Sequence, residues 1–84
     1  MTEQGPSITT LDRLKIGHRG IVKSVVALDK TLKRRLLSMG LVAGSIIEVL
    51  RVAPLGDPIK ISALGYKLSL RISEAREILV QEIK

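Results

Sequence analysis

The apolar positions of this chain change period twice. From Ile21 to Val26 every residue is β-branched except Lys23 and Ser24, which predicts a strand. Leu28, Leu32, Leu36 and Met39 then recur at i, i+4, i+8 and i+11, the stripe of an amphipathic helix turned toward a core. Asp29 is placed as the N-cap, where its carboxylate can accept from free N–H groups and faces the positive end of the helix dipole. Gly40 stands just past the far end, where a positive φ is cheap, with Leu41 able to fold back on Leu36. A helix over about 30–39 follows.

On either side of it the pattern is that of strands. Residues 1–9 are polar, with Gly5 and Pro6, and read as a flexible N-terminal tail; the ordered domain spans 10–84. Leu11, Leu14 and Ile16 are spaced to point inward, with Thr10 or Asp12 capping a short turn. Gly17 and Gly20 read as breakers flanking His18 and Arg19. Ser45 to Val52 is apolar on most of both faces, a central or strongly curved strand. Pro54-Leu55-Gly56-Asp57-Pro58 is a dense breaker cluster, hence a loop. Ile59 to Ala63 alternates, Gly65-Tyr66 forms a turn, and Lys67 to Ile72 alternates again. Ser73 is placed to cap a single turn through Glu74, Ala75 and Arg76, and Ile78 to Ile83 is the last strand. Five short strands and one inserted helix make an all-β domain, a meander closed into a small barrel.

Composition narrows the function. The 84 residues suffice for one domain with a thin core. With no Cys and a single His, the chain has no thiolate nucleophile, no Cys-ligated zinc or iron–sulfur cluster, and no multi-histidine site of its own. Fe(II) prefers His and carboxylate ligands, so a tight iron site within one chain is not expected. His18, next to Arg19 between two glycines, reads as an ordinary surface residue, and no phosphate-cradling glycine motif is present. No catalytic residue, metal ligand or cofactor site is assigned. The longest apolar run is four residues, far short of a membrane span, and the N-terminal residues carry no secretory pattern, so a cytoplasmic location is expected.

Charge and aromatic content shape the choice of partner. The net charge is +6, and residues 12–35 hold eight basic side chains against two acidic ones. Such a field suits an acidic protein, a nucleic acid or a membrane surface, or else only keeps a small domain soluble. Tyr66 is the only aromatic residue, too few for stacked bases, which counts against nucleic acid. Lys33, Arg34 and Arg35 either complement the helix dipole or meet an acidic partner. Leu37 and Leu41 lie off the apolar stripe and extend it toward a docking face, unless they too are core. Leu55 in the proline loop is either tucked inward or displayed, with Asp57 beside it.

Four ordered blocks then carry a resemblance. They are Leu32-Lys-Arg-Arg-Leu-Leu-Ser-Met-Gly-Leu-Val-Ala-Gly44, Ile47-Glu-Val-Leu-Arg51, Ala53-Pro-Leu-Gly-Asp-Pro-Ile59, and Gly65-Tyr-Lys-Leu-Ser-Leu-Arg71 followed by Glu74-Ala75. Together, across roughly residues 8–82, they resemble the FeoA family, the small cytoplasmic component of bacterial ferrous iron transport. One departure is Ala43, where the family pattern has Pro.

The resemblance implies an SH3-like barrel of about five strands with the inserted helix. It implies no enzymatic activity but an accessory, regulatory role as a protein–protein interaction module on the cytoplasmic part of FeoB, the membrane ferrous iron transporter with a GTP-binding domain. Association with the membrane would then run through that partner. Transition metal ion binding comes only at the level of the family. The alternatives are a basic nucleic-acid-binding barrel and a metal-responsive SH3-like regulatory domain like the C-terminal domain of iron-dependent repressors. On the transporter reading, the partner-binding residues are Lys33, Arg34, Arg35, Leu37, Leu41, Leu55 and Asp57.

Overall fold

The computed structural model describes residues 8–83. It has strands β1 (Ile8–Thr10), β2 (Arg19–Val25), β3 (Ile46–Val52), β4 (Ile59–Ala63), β5 (Tyr66–Leu70) and β6 (Ile78–Ile83). Helix α1 (Lys30–Ser38) joins β2 to β3, and the short helix α2 (Ile72–Ala75) joins β5 to β6. A 3₁₀ turn covers Leu11–Arg13.

The six strands form one antiparallel sheet in the order β1-β6-β2-β3-β4-β5. Only β2 to β5 follow a meander. The last strand returns across the sheet to pair with β2 along its length, and so closes the fold. The sixth strand, β1, corrects the expected five: Ile8 and Thr9, placed in the tail by the sequence, pair with Gln81 and Val80. Residues 1–7 of that tail lie outside the described residues.

The pairing slips by one residue between Val22 and Ser24 on β2, and between Val49 and Arg51 on β3. Such bulges bend and twist a strand, which lets a short sheet wrap around a core. Inside are Val22, Ile47, Val49, Ile61, Leu70, Ile78 and Val80, all essentially inaccessible, with Leu11 and Leu14 from the first turn.

Helix α1 follows its local signals. Asp29 Oδ1 accepts from the N–H groups of Thr31 (2.8 Å) and Leu32 (3.3 Å). At the other end the Leu41 N–H donates to the Leu36 carbonyl and the Gly40 N–H to that of Leu37, the paired bonds of a Schellman cap. Gly40 has φ +92°, and a Cβ there would lie 2.6 Å from Leu64 Cδ1.

Several expectations need correcting. Leu28 is 95% exposed, because it precedes the N-cap and its spacing has no helical phase. The rest of the stripe faces the core as expected, with Leu36 fully buried and Leu32 and Met39 packed at its margin, while Leu41, read as extending a docking face, is fully buried too. Ile16 is exposed, since the chain turns outward after Leu14. Gly20 is no breaker but a buried residue of β2, where a Cβ would meet Leu14 Cδ1 at 3.1 Å and the Gln81 carbonyl at 3.3 Å. The β4–β5 turn is Leu64-Gly65 rather than Gly65-Tyr66, with Ala63 opposite Tyr66. Both turn residues have positive φ, 53° and 82°, the signature of a type I′ hairpin. Finally, α2 begins at Ile72, so Ser73 lies inside the turn and Ile72 is not part of a strand.

Candidate functional site

Two features depart from a minimal barrel, α1 and the β3–β4 loop, and α2 ties both to the sheet. Glu74 in α2 is buried, and both its carboxylate oxygens are occupied: Oε1 accepts from the Arg71 N–H at 2.9 Å and Oε2 pairs with Arg35 of α1. Asp57 in the loop accepts through Oδ1 from the Ile72 N–H at 3.0 Å, capping the same short helix.

The loop is shaped by its prolines. The Gly56 N–H donates to the Ala53 carbonyl at 2.7 Å, closing a β-turn with Pro54 at its second position, where φ near −65° is wanted. The Ala53 N–H donates to the Pro58 carbonyl at 3.0 Å and seals the base. Leu55 therefore occupies the tip, 96% exposed.

The seven sequence-predicted contact residues divide accordingly. Leu41 is core, because the Schellman cap folds it back under the helix, and it offers no docking surface. Arg35 is held by Glu74 and Asp57 by the α2 backbone, so their polar groups already have partners within the chain. Lys33, Arg34, Leu37 and Leu55 stay exposed. Lys33, Arg34 and Leu37 border a shallow depression of about 240 Å³ together with Lys30. No ion pair engages Lys30, Lys33 or Arg34 among the described residues.

Spacing alone did not pair two groups that the fold brings together. His18 Nδ1 lies 2.5 Å from Glu82 Oε2, joining the entry of β2 to the end of β6. The register pairs Gly20 with Glu82, so this contact follows from the β2–β6 ladder and was legible only once that pairing was known. Among the described residues no three His, Asp or Glu side chains converge as a metal site. No helix among them is long and apolar enough to cross a membrane.

The fold is a small SH3-like barrel that displays a basic helix face and an apolar loop tip. Comparison with known proteins then identifies the family. The family model described as the FeoA domain matches residues 9–82, and the chain belongs to that family.

A relative from Porphyromonas gingivalis, the Fe(2+) transport protein A/Fe(2+) transporter FeoB fusion protein, is 34% identical over 73 residues. The match takes in 87% of this chain but only 8% of the fusion protein. The FeoA protein of Chlorobium tepidum superposes with a TM-score of 0.84 at 43% identity, covering 90% of this chain and 71% of that one. Stenotrophomonas maltophilia FeoA, solved with zinc and described as a prokaryotic SH3 domain protein and candidate activating factor of ferrous iron transport, gives 0.76 at 29% identity. There the match covers 86% of this chain and 88% of the other.

Proposed function

We propose that this chain is a non-enzymatic regulator of ferrous iron uptake that docks on the cytoplasmic part of a FeoB-type transporter. The observation that carries the reading is the fusion relative, in which a domain 34% identical to this one is continuous with the transporter. Two partners that work as one polypeptide in one lineage are natural binding partners when made separately, because fusion replaces association by a high local concentration. The protein would then act in the cytoplasm, at the inner face of the membrane through its partner. Its surface suits that role: Lys33 and Arg34 steer an acidic surface, while Leu37 and Leu55 supply apolar area that a partner can desolvate.

The test is a calorimetric titration with the isolated GTP-binding domain of such a transporter, beside one with duplex DNA at the same ionic strength. Saturable binding to the first and none to the second is the expected result. The reverse would replace this reading with that of a basic nucleic-acid-binding barrel.

A further inference from the structure

The outer face of the sheet carries an arrangement that the fold itself does not need. Arg51 of β3 and Lys60 of β4 are cross-strand partners. Like charges directly opposite each other on an antiparallel pair are destabilising, and a nearby carboxylate usually relieves them. Here none does. The ion pairs among the described residues are His18–Glu82, Arg35–Glu74 and Arg76–Asp12, and Asp29 and Asp57 are taken up in capping helices. Glu48 of β3, opposite Ser62, and Glu77, just before β6, form no ion pair with either cation.

The bulge between Val49 and Arg51 produces this opposition, since the extra residue shifts the register and re-aims the side chain that follows. Around the two cations lies an open depression of about 330 Å³, walled by Val52, Pro54 and Pro58 and floored on one side by Ser69. Ser69 is the β5 partner of Lys60, so its hydroxyl belongs to the same row. The proline loop fixes the walls, and Leu55 projects from its tip.

We propose that the Arg51–Lys60 depression is a carboxylate-binding subsite. Its occupant is an Asp or Glu side chain on a partner polypeptide, adjacent to an apolar residue that covers Leu55. A guanidinium can grip a carboxylate with two parallel hydrogen bonds, the ammonium adds charge and the serine a third donor. A phosphate backbone is a poorer match: Lys67 on β5 and Arg71 just after it flank Ser69, but the depression itself holds only Arg51 and Lys60 between a valine and two prolines, and the single aromatic of the chain offers bases no stacking platform. This inference rests on the reading of the chain as a docking module and names the chemistry of one part of its surface.

The experiment uses the whole chain and the double variant Arg51→Gln/Lys60→Gln, whose fold is checked from its amide spectrum. Removing an unrelieved like-charge pair leaves the variant as stable as the parent or more so. In a first arm, binding to the transporter's cytoplasmic part weakens about tenfold and loses much of its salt dependence. In a second arm, succinate and inorganic phosphate are titrated separately at constant ionic strength while the amides are followed. Succinate shifts Arg51, Lys60 and Ser69 saturably in the parent and not in the variant.

Parent-like binding by the folded variant overturns the subsite and leaves the docking reading standing. Phosphate shifting these amides as strongly as succinate overturns the carboxylate assignment, and no localised shift overturns the site. Failure of the parent to bind the transporter overturns the docking reading instead, and the succinate arm alone then decides the pocket.

Discussion

Arg35, in the last turn of α1, is ion-paired with Glu74 of α2, although 39 positions separate them in the chain. The glutamate side chain is only 10% exposed and the arginine 56%, so one member needs the other far more. Arg35→Ala leaves a buried carboxylate whose one remaining partner is the Arg71 N–H. Its expected cost is about 1–3 kcal/mol, since half of the pair is solvated and screened. Glu74→Gln keeps an acceptor for that N–H and costs less. Urea unfolding of both single variants and the double variant measures the coupling, and additive effects would show that the pair contributes nothing.

The apolar stripe gives a sharper contrast. Leu36 is fully buried and Leu28 almost fully exposed, although the sequence gives both the same helical spacing. Leu36→Ala should cost about 2–5 kcal/mol and Leu28→Ala stay within about 0.5 kcal/mol. Thermal melting of the two variants checks the pair. Equal melting temperatures would contradict the packing described here.

These two residues show where sequence reasoning held and where it stopped. The helix was legible because its limits are local chemistry: Asp29 caps one end, Gly40 the other, and everything between has one period. Leu28 was misread because a period means nothing outside the element that generates it. Strand β1 was not legible, since Ile8–Thr10 is three residues long and is made a strand by β6, some seventy residues later. The same limit applies to the interaction surface. Lys33 and Arg34 are exposed as a charged helix face suggests, and Leu55, which the sequence leaves open, is displayed by the turn at Pro54; the commitments of Arg35 and Asp57 depend on α2, which the linear pattern does not bring near them.

Leu64 should be a site where stability rises on substitution. Its φ of 53° places a bulky side chain in the left-handed region, at a cost of about 1–2 kcal/mol, while its contact at Gly40 returns part of that. Asn tolerates this conformation and is favoured at the first position of a type I′ turn. Leu64→Asn is therefore expected to stabilise the domain by about 0.5–1 kcal/mol, seen as a higher urea midpoint at constant slope. A lower midpoint would mean that the packing of Leu64 against the end of α1 outweighs the strain.

The exposed surface can be divided by kinetics. Lys33 and Arg34 form no ion pairs among the described residues, so reversing both to Glu leaves the core untouched, which reversal of Arg35 would not. Charges at the rim of an interface act mainly on encounter, so this variant should associate more slowly with the transporter's cytoplasmic part and lose much of the salt dependence of its on-rate. Leu55 lies at the loop tip and outside the core, so Leu55→Ala should fold and melt as the parent does. If Leu55 is seated in the partner, the truncation removes desolvated contact and speeds dissociation, leaving association nearly unchanged. Surface plasmon resonance at two salt concentrations separates the two effects. Parent-like rates in both folded variants would exclude the α1 cations and the tip of the proline loop as the docking surface.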